Sequence, residues 1–281
     1  MAEFRFFYKE DNRIKMSRTI ETVKTVPIEN FLWIDLNDVT VEVESELEQF
    51  LKIYIQEEEE MEEIEISSRY IETADSIVVN SQFLLDNFEE ETVSLILKNG
   101  ILISVRSKHL HSFNEIVKKI FANPRNYLSG YSIFVDLLAT RVDYDADMIE
   151  DMARQITELS NEIKTEDNAD DLIEDLTREI TELSSHLKSE EDVDNAILIA
   201  IKELQERTMI IRENIVDKQR VCSNMLKSVL MPGEAKAKLS IIIKDINSLF
   251  EHTRFSFDRL EYLQDAIIGL INIQQNKIIK I

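Results

Sequence analysis

Residues 1–125 combine the periodicities of strands and helices. Glu3–Tyr8 alternates between polar and apolar positions in strand fashion, and Phe31–Leu36 is a short apolar run typical of a buried strand. Val41–Ile55 then has a helical period, and it leads into the acidic stretch Glu57–Glu65. This succession predicts an N-terminal domain in which helices pack on a mixed sheet.

The second half of this domain carries a hairpin signal. Strand-like runs occur at 69–72 and 76–85, and two more, Thr92–Lys98 and Ile101–Arg106, flank the dipeptide Asn99-Gly100. Asn-Gly suits the tight turn of a β-hairpin, because both of its residues accept a positive φ. A helix over 113–121, stopped by Asn123-Pro124, is expected to close the domain.

From about Ser132 the pattern is almost entirely helical, with polar breaks expected near 168–170, 188–192 and 231–233. Arg154–Ser160 nearly recurs as Arg178–Ser184, which we interpret as two amphipathic stretches packed as a hairpin. The predicted fold class is therefore α+β. An α/β/α domain with a mixed sheet (1–125) precedes a helical region (126–281) made of a hairpin and one very long C-terminal helix (about 234–281).

The long C-terminal helix, called the stalk helix below, carries a heptad seam. It would be about 70 Å long at 1.5 Å per residue. A single domain does not easily cover so long a rod, so the seam favours self-association. Its members are spaced alternately by three and four: Leu239, Ile242, Ile246, Leu249, Thr253, Ser256, Leu260, Leu263, Ile267 and Leu270.

Beyond Leu270 the pattern changes. Asn272 and 274–276 place uncharged amides where a seam needs apolar groups, and Lys277 and Lys280 follow among isoleucines. Two interpretations are open. The helix either frays here, or it continues into a bilayer, where basic residues flank the membrane and amides line a water-filled pore.

Composition and charge restrict the partners. The chain of 281 residues is 44% hydrophobic and 31% charged, with 4 glycines and 3 prolines, which suits long helices. A net charge of -23 argues against nucleic acid and anionic lipid, and favours cations or basic protein surfaces. The one cysteine fits a reducing cytosol, and neither a signal peptide nor an apolar window long enough to span a membrane is expected.

Catalytic signatures are not found. The sequence has no Gly-rich phosphate loop, no His-Glu-x-x-His and no nucleophile elbow, so we do not expect an enzyme. His109 and His111 are interpreted as surface residues, Trp33 as core, and Cys222 as an unreactive thiol within a helix.

Three segments carry a resemblance to a known family, the CorA divalent-cation (magnesium) transporters. Gly269–Ile281 resembles the segment that leads into the first transmembrane helix of these proteins. Gln56–Glu72, with Glu59–Arg69 at its centre, resembles the acidic helix and following strand of their cytosolic domain, and Lys244–Thr253 is similar to the upper stalk helix. The order of the segments also matches, so the resemblance covers essentially the whole chain.

The resemblance implies the cytosolic part of a homopentameric channel of the cell membrane, ending just before the transmembrane helices. Its stalk helices would form a funnel around the ion path. In such a funnel Asn276 would face the path, Ile279 would form an apolar constriction, and Gln275 is a weaker candidate for lining the pore. The Gly-Met-Asn selectivity motif of the family lies beyond this segment of the protein.

The resemblance also implies Mg²⁺ as both the transported and the regulatory ion, with other divalent cations possible. Glu59 and Glu60 match the N-terminal carboxylates that bind Mg²⁺ between neighbouring subunits. The expected stalk position is Ser248, and Asp245, one turn earlier, is the nearest carboxylate. Loss of bound Mg²⁺ would let the subunits splay and the pore open.

Two alternatives stay open. Within the resemblance, which also implies cobalt or nickel as further cargo, a zinc-transporting branch shares the architecture. The competing class is a soluble, acidic coiled-coil scaffold that binds a basic partner. An apolar hairpin containing Gly-Met-Asn, encoded downstream of Ile281, would favour the channel.

Overall fold

A computed structural model of the chain describes residues 3–56, 69–180 and 190–279, with side chains described except at 162, 164–180, 190–194 and 274–279. Within these ranges the N-terminal part forms a seven-stranded sheet with the order β2-β1-β3-β7-β6-β5-β4. The pair β3–β7 is parallel, and the other neighbouring pairs are antiparallel. The strands are β1 (Glu3–Glu10), β2 (Arg13–Ser17), β3 (Phe31–Asn37), β4 (Tyr70–Glu72), β5 (Ser76–Leu84), β6 (Glu90–Lys98) and β7 (Ile101–Arg106).

Helices cover the sheet and then dominate the rest of the chain. Short 3₁₀ turns lie at Ile28–Asn30 and Pro124–Asn126. The α-helices are α1 (Thr22–Thr25), α2 (Val41–Leu51), α3 (His111–Ala122), α4 (Gly130–Ile180), α5 (Glu190–Lys227) and α6 (Gly233–Ile279). The helix α6 is the predicted stalk helix.

Each face of the sheet has its own apolar layer. On one face Ile34 and Ile103 belong to a cluster with Leu47 and Leu51 of α2. On the other face Trp33 packs against Phe113 of α3, with ring centroids 5.9 Å apart. Neighbouring positions of a strand point to opposite faces, and both faces of these central strands are therefore apolar. The predicted α+β class, with an α/β/α N-terminal domain, is confirmed.

The predicted Asn99-Gly100 hairpin is also confirmed. Lys98 pairs with Ile101 across the turn, and φ is 50° at Asn99 and 80° at Gly100. Positive φ at both central residues is the conformation that twists with the flanking strands, β6 and β7.

Two features of the chain differ from expectation. The strand β2 was not predicted: Arg13–Ser17 alternates between polar and apolar residues, but it has five residues, only two of them apolar, and all of them are exposed or half-buried. The break expected near 168–170 is wrong, since α4 continues to Ile180. That stretch contains neither glycine nor proline, and polar residues alone do not end a helix. The break near 231–233 is confirmed by the gap between α5 and α6.

The chain divides into two compact units. One contains Met1–Asp145 and Glu213–Ser248, and the other contains Ala146–Arg212 and Leu249–Ile281. The predicted boundary between an N-terminal domain (1–125) and a helical region (126–281) stays a prediction. In the second unit three helices share a core: Ile156, Leu159, Ile163, Ile197, Ile201, Leu204, Leu260, Leu263 and Ile267.

The heptad seam of α6 is buried within the single chain. Leu239 and Ile246 are fully buried in the first unit, and Leu260 and Ile267 are fully buried in the second. The polar members Thr253 and Ser256 are buried as well. The seam alone therefore does not require a second copy, contrary to the inference from its length.

Candidate functional site

The opposite side of α6 is open. Counting back from Asn276 in steps of seven gives a stripe of exposed positions: Gly269, Tyr262, Phe255, Ser248 and Ile241. Phe255 and Tyr262 are 62% and 72% exposed. This stripe keeps the same register over five heptads, so one side of the helix is left uncovered by the described part of the chain.

Asp245 lies beside this stripe. It is exposed, as is Ser248, three residues further along the helix. Positions three apart share a helix face, so the two predicted stalk positions are exposed on the same side of α6. The carboxylate of Asp245 is therefore available to a ligand or a second subunit.

The other predicted metal ligands, Glu59 and Glu60, lie outside the described residues. The residues on either side of this segment, Gln56 and Arg69, each contact a side chain of the first unit. Gln56 accepts a hydrogen bond from the Asn80 side chain at 2.8 Å. Arg69 lies 3.9 Å from the carboxylate of Asp217. Among the described residues, no group of three or more His, Cys, Asp or Glu is arranged to hold a metal ion.

Asn276, Ile279 and Gln275 belong to the last turns of α6, and their side chains lie outside the described part. The helix reaches Ile279 without a break. Ile279 is a neighbour on the helix surface both of Asn276, three residues before it, and of Gln275, four residues before it, while Asn276 and Gln275 lie about 100° apart around the axis. The backbone thus puts Asn276 in register with the exposed stripe, and the pore roles of these three residues stay predictions.

Sequence reasoning missed a buried ionic cluster on α5. The Asp217 carboxylate accepts hydrogen bonds from the Ser81 hydroxyl at 2.6 Å, from the Gln82 backbone N–H at 2.9 Å and from Arg220 at 2.6 Å. Its neighbour Lys218 is fully buried and donates to the Gln82 carbonyl and to the Asn214 side chain. These contacts attach α5 to strand β5.

The electrostatics of this cluster follow from burial and pairing. Burial alone would raise the pKa of Asp217, but the charges of Lys218 and Arg220 outweigh it, and that pKa is lowered. Burial lowers the pKa of Lys218, and the negative charges of Asp217 and Asp145 oppose the change. A sequence signal exists, because Asp217-Lys218 interrupts an otherwise apolar helix face between Ile215 and Val221.

A second buried ionic group lies between the sheet and α3. Asp35 on β3 accepts from Arg5 Nε at 2.8 Å and from Arg106 Nη2 at 2.9 Å, and Ser104 also donates to it. The Arg106 guanidinium lies over the ring of Phe113, 4.5 Å from its centroid. This group fixes the central strands rather than binding a ligand, because each carboxylate oxygen is already paired within the chain.

The remaining candidates have structural surroundings. His109 and His111 are exposed, and His111 Nδ1 lies 2.6 Å from the Tyr144 hydroxyl. Burial raises the pKa of Cys222 to about 12, so its thiol stays protonated at neutral pH. Trp33 is fully buried and donates from Nε1 to Ser104 at 2.9 Å. In the described ranges, no helix holds an apolar stretch long enough to cross a membrane.

The chain is similar in sequence to a known protein family and to individual members of it. The family described as "CorA-like Mg2+ transporter protein" matches residues 29–172 and 164–281. The magnesium transport protein CorA of Wolinella succinogenes is 34% identical over 90% of this chain and 74% of its own length.

Solved structures share the fold. The complete CorA magnesium transporter of Methanocaldococcus jannaschii has a TM-score of 0.72 and 16% identity, over 100% of this chain and 80% of the other. The soluble domain of the same protein gives 0.68 and 14%, over 96% of this chain and 97% of the other. The ZntB cytoplasmic domain of Vibrio parahaemolyticus gives 0.64 and 12%, over 97% and 99%.

Proposed function

This chain belongs to the CorA-like Mg²⁺ transporter family, and from that premise we propose that it is the regulatory and stalk part of a homopentameric magnesium channel, on the cytosolic side of the cell membrane. The observation that carries the proposal is the exposed register of α6, in which Asn276 continues the stripe of Tyr262 and Phe255. Five such helices around one axis would enclose a path, with their buried seams turned toward their own chains.

The terminal residues suit an aqueous path. The amides of Gln275 and Asn276 can hydrogen-bond the water shell of an ion without trapping it by charge. Ile279, on the same face as Asn276 and one turn further along, would close the path by dewetting when the helices approach. Magnesium is the proposed cargo, as in the named relatives. Cobalt and nickel ions would also pass through the channel.

Regulation would come from Mg²⁺ bound between subunits. Mg²⁺ keeps most of its water and needs only one or two carboxylates. Glu59 and Glu60 of one copy would face Asp245 of the next, whose exposed carboxylate supports this pairing. In a chain of net charge -23 the empty site leaves carboxylates that repel each other, so bound Mg²⁺ stabilises the closed pentamer by mass action. When Mg²⁺ falls, the population shifts toward the open state.

Limited proteolysis of α6 tests the metal site. Millimolar Mg²⁺ should slow cleavage within 233–273 in the wild-type chain, and light scattering should report assembly under the same conditions. The double variant Glu60→Ala with Asp245→Ala should lose the magnesium-dependent protection. A control with Glu29→Ala and Asp258→Ala, which removes two exposed carboxylates elsewhere, should keep it. Unchanged protection in the first double variant would refute the assignment.

A zinc cargo, the alternative within the same architecture, predicts a different selectivity. The proteolysis assay repeated with Zn²⁺ and Mg²⁺ at matched free concentrations separates the two. Protection by Mg²⁺ that Zn²⁺ at the same free concentration does not give favours magnesium, and stronger protection by Zn²⁺ favours zinc. The family consists of transporters, and the proposal includes no catalysis.

A further inference from the structure

Strand β4 is the first element after the segment that carries Glu59 and Glu60. It has three residues, lies at the edge of the sheet and pairs with β5. So short an edge strand makes few backbone hydrogen bonds, and its side chains therefore contribute much of what holds it in place.

Both ends of this strand contact α5 or the turn that follows it. On the N-terminal side Arg69 lies 3.9 Å from Asp217, in the middle of the buried ionic cluster. At the C-terminal end Glu72 Oε1 accepts the Ser228 hydroxyl at 3.0 Å and the Val229 backbone N–H at 3.3 Å. These two partners immediately follow Lys227, the last residue of α5.

Neighbouring hydrogen bonds orient both partners of the contact between Glu72 and Ser228. Its second oxygen accepts the Tyr70 hydroxyl at 2.6 Å, so the strand itself orients the carboxylate. Ser228 is buried, and its hydroxyl oxygen accepts the Leu230 N–H at 3.1 Å. Burial acts to raise the pKa of Glu72, but the hydrogen bonds from Tyr70, Ser228 and the backbone outweigh it and lower that pKa. The carboxylate is thus held ionised and satisfies the N–H groups of the turn.

The turn is where the stalk helix begins. Ser228–Pro232 joins α5 to α6, and Lys236 N–H already bonds to the Pro232 carbonyl. Any displacement of β4 therefore acts on residues directly before Gly233. A charged hydrogen bond resists such a displacement more strongly than a neutral one.

We propose that Glu72, supported by Arg69, is a positioning residue that transmits the state of the acidic segment 57–68 to the start of the stalk helix. The inference rests on the proposed function, since the signal it transmits is Mg²⁺ binding at Glu59 and Glu60. Glu72 itself binds no metal in this scheme. Glu72 couples β4, the strand that follows the segment with Glu59 and Glu60, to α6, the proposed pore-lining helix.

Hydrogen exchange of the chain, with and without millimolar Mg²⁺, tests the coupling. Without metal, Glu72→Ala should speed exchange at 228–232 at least tenfold, because Val229 N–H and the Ser228 hydroxyl lose their acceptor. With metal, the wild-type chain should gain protection at 233–240, and Glu72→Ala should lose that gain. Glu72→Gln, which keeps an oxygen acceptor, should restore part of it.

A control and a double-mutant cycle guard against a general loss of stability. Asp75→Asn removes a carboxylate from the same β4–β5 hairpin, but that carboxylate pairs with Lys98 of the sheet at 3.1 Å, so the metal response should persist. Glu72→Gln and Ser228→Ala should be non-additive in the exchange rate at 228–232.

The outcomes separate the two claims. A wild-type metal response that survives Glu72→Ala would overturn the coupling alone and leave the metal site standing. Additive effects of Glu72→Gln and Ser228→Ala, or unchanged exchange at 228–232, would also overturn it. A wild-type chain that shows no response to Mg²⁺ in its assembled form would overturn both the coupling and the proposed regulation.

Discussion

Gly130 and Gly100 meet backbone to backbone: the Gly130 N–H donates to the Gly100 carbonyl at 2.6 Å. The first residue of α4 is thereby fixed on the turn of the β6–β7 hairpin. A side chain at residue 130 would have no room, since a Cβ there would lie 2.6 Å from the Ile101 carbonyl carbon and against the Leu102 nitrogen. The helix α4, Gly130–Ile180, thus starts from a contact that only glycine permits.

Gly130→Ala should therefore destabilise the chain. The obstacle is backbone rather than a flexible side chain, so we expect a loss of about 1–3 kcal/mol or more. Urea unfolding followed by circular dichroism measures it. Gly269→Ala is the matched control, because nothing lies within 4 Å of its added Cβ. The control should stabilise α6 slightly, as alanine favours helix over glycine. Equal midpoints for the two variants would contradict the close contact.

Asp35→Ala should be among the most damaging single changes to the sheet. It leaves the guanidinium groups of Arg5 and Arg106, whose side chains are 5% and 1% exposed, without their shared carboxylate. Removing one partner of a buried ionic group costs about 3–5 kcal/mol, because the remaining charges stay desolvated. Thermal and urea unfolding measure the loss.

The control for Asp35 is Glu10→Ala, which breaks the exposed pair with Lys15. Exposed pairs contribute little, so its unfolding midpoint should stay near that of the wild type. A midpoint for Asp35→Ala as high as that of Glu10→Ala would show that the buried group is not needed.

Tyr70→Phe should reveal an alkaline stability change. Burial, and then the hydrogen bond to Glu72, raise the pKa of Tyr70 from 10.0 to about 12. A raised pKa means that the folded chain keeps a proton that the unfolded chain has lost, so the contribution is complete below pH 10 and disappears as pH rises toward 12. The stability difference between the wild type and Tyr70→Phe should therefore shrink across this window. A difference that stays constant from pH 9 to 12 would contradict the assignment.

The sequence predicted the central strands and the hairpin because their signals are local. Phe31–Asn37 is buried at every position, and the apolar residues Phe31–Ile34 and Leu36 indicate most of that directly. Asn99-Gly100 specifies its own turn through the two positive φ angles. The seam of α6 was also readable, since its three-and-four spacing is a property of one helix.

Other features depended on partners distant in sequence. Spacing could not show that the seam is covered by α4 and α5 of the same chain, because Leu260 meets Ile156 and Ile201 only after folding. The pairing of Asp217 with Ser81 joins residues 136 positions apart, and no local pattern predicts it. Of the candidate site, the exposure of Asp245 and the helical register of Asn276 agree with the sequence. The metal-ligand roles of Glu59, Glu60 and Asp245 stay predictions, as do the pore roles of Gln275, Asn276 and Ile279.

By itself the sequence determined the α+β class, the hairpin, the unbroken stalk helix and the segments that resemble the family. These follow from periodicity and turn chemistry, which act over a few residues. Only the tertiary structure decided which face of α6 is buried, how Asp35 and Asp217 are neutralised, and that Glu72 joins β4 to the start of α6. Those outcomes depend on which distant groups meet, and the free energy of burying a charge is set by its neighbours in space.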